Sequence, residues 1–303
     1  MNSIKKMMLS GALGCLISGM AYADGSSPQP VKPYWQDIQV VAVNKEKPRS
    51  SFMSYADRET ALTSRFEKSP YYSLLNGTWK FFFVDSYKDL PQNITDPSVN
   101  TSSWDDITVP GNWEVQGHGV AIYTNHGYEF KPKNPQPPLL PEANPVGVYR
   151  RDIEIPANWD NRDIYLHIGG AKSGLYVYLN GKEVGYSEDS KNPAEFLINK
   201  YLQPGKNVLT LKIFRWSTGS YLECQDFWRM SGIERDVFLW SQPKASIQDF
   251  RVVSTLDDTY TNGIFKLAVD LKNHTQETKN LNVGYELLDA KGNLMPPRLM
   301  IYG

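Results

Sequence analysis

Short runs of alternating apolar and polar residues, separated by turns that contain Pro and Gly, fill the chain between about Leu74 and Trp240. The strongest of these runs are LNGTWKFFFV, GVYRRDIEIP, RDIYLHIGG and NVLTLKIFRW. Alternation with period two predicts β-strands that bury one face. Between two such runs, Asn180-Gly181 predicts a hairpin. Because no run here has a helical period, residues 65–242 are predicted to form an all-β, antiparallel jelly-roll sandwich of eight or more strands.

Two segments inside this region alternate poorly. Residues 111–145 contain many prolines and glycines, so the pattern predicts a long loop, and its aromatic residues argue against disorder. Residues 215–240 read RWSTGSYLECQDFWRMSGIERDVFLW, which is unusually polar and aromatic for a segment between two strands. A loop of this kind inside a compact domain is typical of a functional site.

The regions before and after the sandwich have different patterns. Residues 24–64 are polar, contain prolines and lack a sustained period. They are predicted to form an extended arm with one short helix near Asp57 to Phe66. After Pro243, the runs SIQDFRVVSTL, GIFKLAVDLKN and LNVGYELLDAKG predict an immunoglobulin-like sandwich. Such a domain needs about 100 residues and seven strands, so we expect residues 243–303 to be an incomplete one and the chain to be the front part of a longer protein.

The first 23 residues have the organisation of a signal peptide. Lys5 and Lys6 precede an apolar stretch, and Ala21-Tyr22-Ala23 fits a cleavage site with small residues. The stretch is too short for a transmembrane span. We therefore expect an exported, periplasmic protein, with lipid anchoring through Cys15 as the alternative. Removal of the signal peptide would leave Cys224 as the single cysteine and no intrachain disulfide.

Composition narrows the function without fixing it. The formal net charge is -1 with 21% charged residues, which favours neither a nucleic acid nor an anionic membrane as partner. Aromatic residues make up 13%, which fits either a sandwich core or a surface that stacks on sugar rings. The four histidines lack the spacing of zinc ligands. The GGAKSG stretch lacks the pattern of a phosphate-binding loop, and no G-x-S-x-G elbow is present.

Paired carboxylates are of interest because glycoside hydrolysis requires two of them. The candidate pairs are Glu188/Asp189, Glu223/Asp226 and Glu234/Asp236. The first and third are typical of salt-bridged or solvated positions. Glu223 and Asp226 lie in a loop beside aromatic residues, an arrangement that a sugar site uses. A purely structural cluster at a corner of the sandwich is the equal alternative on these residues alone.

Four long motifs together carry a resemblance to a known family. They are VPGNWEVQGHGVAIYTN, NPVGVYRR, VYLNGKEVGYSEDSKNPAEF and RWSTGSYLECQDFWRMSGIERDV. In this order they resemble the N-terminal sugar-binding domain of family 2 glycoside hydrolases, and among these the large β-galactosidases. The resemblance runs from about Leu74 to Gly303.

The resemblance implies a modular, homo-oligomeric enzyme that hydrolyses terminal β-galactosides with retention. Its two catalytic glutamates would lie in a (β/α)8 barrel that this chain lacks, so no catalytic residue is assigned here and the chain alone is expected to be inactive. It implies that Asn125 and Asp226 bind the galactosyl group, and that Asp226 also helps to hold a monovalent, sodium-type cation. A magnesium-type site would draw on the barrel. Trp216, Trp228 and Arg229 are expected to brace the loop.

Two alternatives remain open at this stage. The chain could be a free-standing carbohydrate-binding module, which a natural end after a completed domain would favour. It could also belong to a family 2 enzyme with another sugar preference, a β-glucuronidase or a β-mannosidase. The YTN and QDFWRMSG motifs favour the galactosidase, and the segment offers no obvious cation for reading a glucuronide carboxylate.

Overall fold

A computed structural model describes residues 32–130, 134–223 and 225–295. The predicted signal peptide with Cys15, the start of the arm, Cys224 and the last eight residues therefore lie outside the described residues. The chain divides into two units, Met1–Lys32 and Pro33–Gly303, and every element described below belongs to the second. No helix in the described part is long and apolar enough to cross a membrane.

The described chain is built almost entirely from strands. These are β1 (Ala42–Val43), β2 (Tyr72–Leu74), β3 (Gly77–Val84), β4 (Asp105–Val109), β5 (Gly111–Asn112), β6 (Ile122–Thr124), β7 (Val146–Glu154), β8 (Arg162–Ile168), β9 (Ala171–Lys172), β10 (Gly174–Leu179), β11 (Lys182–Ser187), β12 (Ala194–Leu197), β13 (Lys206–Phe214), β14 (Phe227–Arg229), β15 (Gly232–Ile233), β16 (Val237–Pro243), β17 (Ala245–Leu256) and β18 (Gly263–Asn273). The one α-helix, α1, spans Arg58–Leu62, and short 3-10 helices span Tyr34–Gln36, Phe66–Lys68, Tyr87–Asp89, Glu114–Gln116, Ala157–Trp159, Asn199–Tyr201 and Thr218–Tyr221.

Two antiparallel sheets form the predicted sandwich. The larger has the strand order β1-β11-β10-β13-β7-β3-β4, and the smaller has the order β12-β8-β16-β2. The hairpin predicted at Asn180-Gly181 joins β10 to β11. Both turn residues have positive φ angles, 54° and 77°, which Asn and Gly tolerate and which match the twist of the flanking strands. The all-β prediction for this region is confirmed.

The core lies between the two sheets and follows the alternation of the strands. Leu209, Leu211 and Ile213 of β13 face inward, as do the residues of the small sheet that share this cluster, which are Ile164, Leu166 and Ile168 of β8 and Val237 and Leu239 of β16. The intervening residues face outward, because successive side chains on a strand point to opposite faces. Burial of this apolar area is the main term that stabilises the sandwich.

The N-terminal arm packs along the sandwich and covers both sheets. Trp35 is buried on the outer face of the large sheet, where its ring stacks on Phe214 at 5.0 Å. The strand β1 then extends that sheet by pairing with β11. Further along, Arg49 forms two hydrogen bonds of 2.9 Å with Glu195 of the small sheet. The short helix predicted near Asp57 is confirmed as α1, and Asp57 caps it by accepting from the Thr60 amide.

The region after Pro243 forms a single long hairpin, β17–β18. Both strands were predicted from their alternation. The third run, residues 281–292, alternates equally well but forms no strand, and its Leu288 makes an isolated bridge with Leu294. Leu281, Val283 and Tyr285 of this run are exposed, and the Tyr285 ring stacks on Phe265 of β18 at 6.0 Å. Alternation stabilises a strand only where a neighbouring strand is available, and no strand pairs with this run within the described residues.

Candidate functional site

The two segments that alternate poorly pair with each other. β6, from the long loop, and β14, from the segment after β13, form a two-stranded antiparallel sheet, called the ribbon below. Phe227 lies opposite Thr124, and Trp228 lies opposite Tyr123. Nearby, β15 joins β5 and β9 in a small three-stranded sheet. The predicted long loop is therefore ordered by contacts made a hundred residues away in sequence.

The ribbon brings the two predicted site residues together at its tip. Asn125 follows the last paired residue of β6, and Asp226 precedes the first paired residue of β14, so both lie at the same end of the ribbon. Both are exposed. The Tyr123 hydroxyl donates to Oδ1 of Asp226 at 3.2 Å, and Nδ1 of His126 lies 2.7 Å from Oδ1 of Asn125. The charge of Asp226 raises the pKa of Tyr123.

An amide and a carboxylate at the same end of the ribbon supply a donor and several acceptors. This combination suits a polyhydroxylated ligand, because sugar hydroxyls both donate and accept. As an oxygen donor, Asp226 also fits one position in the coordination of a hard cation. The described residues contain no cluster of three or more His, Cys, Asp or Glu that could hold a metal ion.

Large apolar side chains are exposed around the ribbon. Tyr123 and Trp228 are each 56% exposed and lie 5.6 Å apart between ring centroids. Other exposed apolar residues of the same two segments are Val115, Val120, Leu139 and Leu222. Single exposed apolar residues are ordinary, whereas a grouping on one feature indicates a surface that contacts something else. Trp228 was expected to brace the loop, but its exposed position places it on this surface.

The base of the ribbon is held by two buried arginines. Nη2 of Arg215 donates to the carbonyl oxygens of Val120 and Arg229, so it links both strands at the point where they leave the sandwich. Arg229 donates to the carbonyl oxygens of Glu223 and, at 3.4 Å, Thr124. Trp216 is buried against Phe130. The bracing role expected for Trp216 and Arg229 agrees with these contacts.

Buried carboxylates accompany these arginines. Glu114 accepts from the Ser231 amide with both oxygens and lies 3.7 Å from Arg215. Glu129 lies 2.9 Å from Lys172 and 3.9 Å from Arg215. Burial raises the pKa of Glu114, and the hydrogen bonds from Ser231 oppose that shift. The ribbon therefore rises from a buried set of opposite charges.

The candidate carboxylate pairs occupy structural positions, apart from Asp226. Glu188 is buried and accepts from the Tyr186 hydroxyl and the Gly219 amide, which fixes the turn after β13. Glu223 accepts from the amide and hydroxyl of Ser190. Burial raises the pKa of both glutamates. In the third pair, Glu234 pairs with Lys191 at 2.5 Å, and Asp236 accepts from Asn76.

A cavity of about 570 Å³ lies elsewhere, between the arm, the small sheet and the hairpin. Its lining includes Arg49 and Glu195, which pair with each other, and Lys272, which pairs with Asp163 at 2.9 Å. Arg49 also covers the face of Trp240 at 4.2 Å. The charged groups and the largest ring of this cavity are thus engaged in joining structural elements, so the ribbon tip is the stronger candidate site.

Analysis of the sequence did not identify Tyr123, Lys172, Glu129 or Arg215 as parts of the site. Tyr123 lies two residues before Asn125, and on a strand such residues share a face. This spacing was enough to identify Tyr123 as a candidate neighbour of Asn125. The buried ion pair between Lys172 and Glu129 had no such signal, because the two residues are 43 positions apart in segments without clear periodicity.

The chain matches a known protein family. The family model described as "Glycosyl hydrolases family 2, sugar binding domain" matches residues 72–243, which is more than half of the chain. The match ends at the last residue of β16, so it covers both segments that form the ribbon and all of the sandwich except β1.

Curated relatives share this region and extend beyond it. A β-galactosidase of Priestia megaterium is 39% identical over 85% of this chain and 25% of its own length. A β-galactosidase of Actinobacillus pleuropneumoniae is 38% identical over 86% of this chain and 24% of its own length. The chain thus spans about a quarter of the length of the curated relatives it matches.

Solved structures support the fold. A β-glucuronidase from Ruminococcus gnavus superposes with a TM-score of 0.54 at 22% identity, covering 75% of this chain and 37% of that one. A β-glucuronidase of an uncultured Clostridium species gives a TM-score of 0.53 at 22% identity, covering 74% and 36%. At 22% identity this similarity shows a shared fold and does not indicate which sugar is bound.

Proposed function

The chain belongs to glycosyl hydrolase family 2, and on that premise we propose that it is the N-terminal part of an exported β-galactosidase. In this proposal the full-length enzyme hydrolyses terminal β-D-galactosides with retention. This segment supplies residues that bind the galactosyl group, whereas both catalytic glutamates belong to a barrel domain further along the protein. The β-galactosidases that match at 38–39% identity support the choice of sugar.

One observation carries the proposal, namely that Asn125 and Asp226 flank the last residue pair of the ribbon, Thr124 with Phe227, and so lie at the same end of it. The two residues are 101 positions apart in sequence and share an exposed tip rather than an enclosed pocket. The exposed rings of Tyr123 and Trp228 lie beside that tip. A polar tip with exposed aromatic rings beside it is what a projection needs if it is to dock against another domain and complete that domain's pocket.

The proposed roles follow from the chemistry of the two side chains. The Asn125 amide can donate to one galactosyl hydroxyl and accept from another, and the Asp226 carboxylate can accept from the region of the 6-hydroxyl. Tyr123 donates to Asp226 and limits its rotation. Asp226 would in addition contribute one oxygen to a monovalent cation, which would supply a fixed positive charge near the sugar hydroxyls. The magnesium-type site and the homo-oligomer would involve parts of the protein beyond this chain.

The proposal is tested by assaying the full-length protein on three nitrophenyl glycosides, the β-galactoside, the β-glucuronide and the β-mannoside. We expect the highest kcat/KM with the galactoside. A higher value with the glucuronide would show that the family is right and the sugar is wrong. Purified residues 24–303 are the matched control and should hydrolyse none of the three. Measurable turnover by that segment would contradict the assignment of chemistry to a later domain.

The export proposal has a separate test. Expression of the complete gene should place the protein in the periplasmic fraction, with a mature N-terminus near Asp24 by N-terminal sequencing. Incorporation of labelled lipid that is lost in a Cys15→Ser variant would favour the lipid-anchored alternative. Retention of residues 1–23 in the cytoplasmic fraction would contradict both.

A further inference from the structure

A buried ion pair anchors the loop that carries Asn125. Nζ of Lys172 donates to Oε1 of Glu129 at 2.9 Å, and the two side chains are only 2% and 6% exposed. Glu129 lies four residues after Asn125, in the strandless part of the loop, whereas Lys172 belongs to β9 of the small three-stranded sheet. The pair therefore fixes the segment after the ribbon tip to the body of the sandwich.

The same carboxylate connects to the clamp at the base of the ribbon. Oε2 of Glu129 lies 3.9 Å from Nε of Arg215, and Arg215 holds the carbonyl oxygens of Val120 and Arg229. Glu129 is thus placed between a lysine on β9 and an arginine that directly follows β13. Its carboxylate lies at hydrogen-bond distance from Lys172 and at a longer ion-pair distance from Arg215.

We propose that Lys172 and Glu129 are positioning residues for Asn125 and Asp226, a proposal that rests on the function proposed above. A buried ion pair contributes little net stability compared with apolar residues of similar volume, because both charges lose their water. It does fix a geometry, since the ammonium and the carboxylate must meet at hydrogen-bond distance. A displacement of about 1 Å in a group that positions substrate can lower catalysis about 100-fold.

If the pair positions the loop and contributes little to stability, removal of both charges should change KM and leave the melting temperature nearly the same. The test therefore uses a double variant. Lys172→Met combined with Glu129→Met removes both charges of the pair and keeps long side chains. In the full-length protein we expect a melting temperature within a few degrees of wild type. We expect a rise in KM for the nitrophenyl galactoside and a fall in kcat/KM on the order of 10- to 100-fold.

The matched control is the double variant Arg49→Met with Glu195→Met. This pair is also largely buried, with side chains 14% and 9% exposed, but it joins the arm to the small sheet. We expect it to lower the melting temperature, because Glu195 also accepts hydrogen bonds from His167 and Trp240, and to leave KM unchanged. Hydrogen exchange provides a readout independent of activity. Amides of residues 121–130 should lose protection in the Lys172/Glu129 variant and keep it in the control.

Four outcomes would overturn or redirect the inference. Unchanged KM and unchanged exchange in the Lys172/Glu129 variant would overturn it, as would a loss of stability with KM unchanged. If the double variant does not fold, Lys172→Arg is measured, and an unchanged KM there would overturn the inference. An inactive wild-type enzyme would instead overturn the proposed function, and hydrogen exchange would still decide whether the pair orders the ribbon.

Discussion

The ribbon and the β17–β18 hairpin are both two-stranded antiparallel sheets, yet they are attached to the sandwich in opposite ways. The ribbon has three residue pairs, and the hairpin has eleven. The ribbon rises from a buried base of arginines and glutamates, whereas most of the hairpin beyond Phe250 is exposed. The short element is therefore the better fixed of the two.

This difference shows that attachment, rather than ladder length, determines how firmly such an element is held. An isolated hairpin is at most marginally stable in water, so each element depends on its contacts with the sandwich. For the hairpin these contacts lie near one end, where Lys272 and His274 both meet Asp163 and where Ser50 of the arm donates to Asp249. For the ribbon they extend from the base to Thr124.

The largest effect is expected from removing the ribbon clamp with Arg215→Met. The change deletes two hydrogen bonds to the ribbon strands and leaves Glu114 and Glu129 buried beside an apolar group. We expect a loss of about 3–5 kcal/mol in the free energy of unfolding of this chain, the usual consequence of breaking a buried ion pair from one side. Urea denaturation followed by tryptophan fluorescence measures it. A loss below about 1 kcal/mol would show that the clamp is dispensable.

The matching change at the hairpin is Lys272→Met, which leaves Asp163 buried with His274. Here we expect a local effect, because the hairpin contributes little to the core. Limited proteolysis should cut within residues 245–273 several times faster than in wild type, while the sandwich fragment stays intact. If cleavage of the sandwich accelerated equally, the hairpin would be part of the same cooperative unit.

As the pH falls, the β17–β18 hairpin should lose its contacts with the rest of the chain before the ribbon does. Burial raises the pKa of Glu195, but hydrogen bonds from His167 and Arg49 outweigh it, so the net pKa lies below its ordinary value of 4.5. Hydrogen bonds from Ser50 and Phe250 likewise lower the pKa of Asp249 below 3.8. A lowered pKa gives stability that is present above the ordinary value and lost as the pH falls through the lowered one.

The pKa shifts of Glu114 and Glu223 have the opposite sign, because burial raises the pKa of each glutamate. They therefore gain protons before Glu195 and Asp249, and their protonation relieves a buried charge instead of breaking a favourable one. Hydrogen exchange across falling pH should show residues 245–273 losing protection at higher pH than residues 121–130. The reverse order would contradict this assignment of the carboxylates.

The smallest effect is expected from Trp228→Ala on the exposed face of the ribbon. In this chain the change should alter the free energy of unfolding by no more than about 1 kcal/mol, because the ring packs mainly on Tyr123. In the full-length protein the same change should cost more, since the proposal has another domain covering this face. Leu62→Ala on α1, also exposed, is the control. Equal effects in both proteins would contradict docking at the ribbon.

The sequence predicts the sandwich well, because its signals are local. Asn180-Gly181 specifies a hairpin turn by its own conformational preferences, and Leu209, Leu211 and Ile213 mark an inward face by spacing alone. Trp35 could not be placed in this way, since its burial depends on an arm crossing a sheet formed 140 residues later.

The ribbon illustrates the same limit at the site. Asn125 and Asp226 were identified through resemblance to a family, and nothing in their local sequence predicts that they lie at the same end of one ribbon. The pairing of Thr124 with Phe227 is a tertiary contact between two poorly alternating segments. The buried pair of Lys172 and Glu129 is equally invisible to periodicity, because it depends on how the loop returns to β9.

The central claim, that the ribbon tip binds the galactosyl group, is tested most directly by Asp226→Asn in the full-length protein. The exposed carboxylate carries little of the stability, so the melting temperature should not change. Loss of charge-assisted hydrogen bonds should lower kcat/KM for the nitrophenyl galactoside on the order of 10- to 100-fold. Asp189→Asn, which changes an exposed carboxylate hydrogen-bonded to Asn192, should have no effect. Equal kcat/KM values for both variants and wild type would contradict the account.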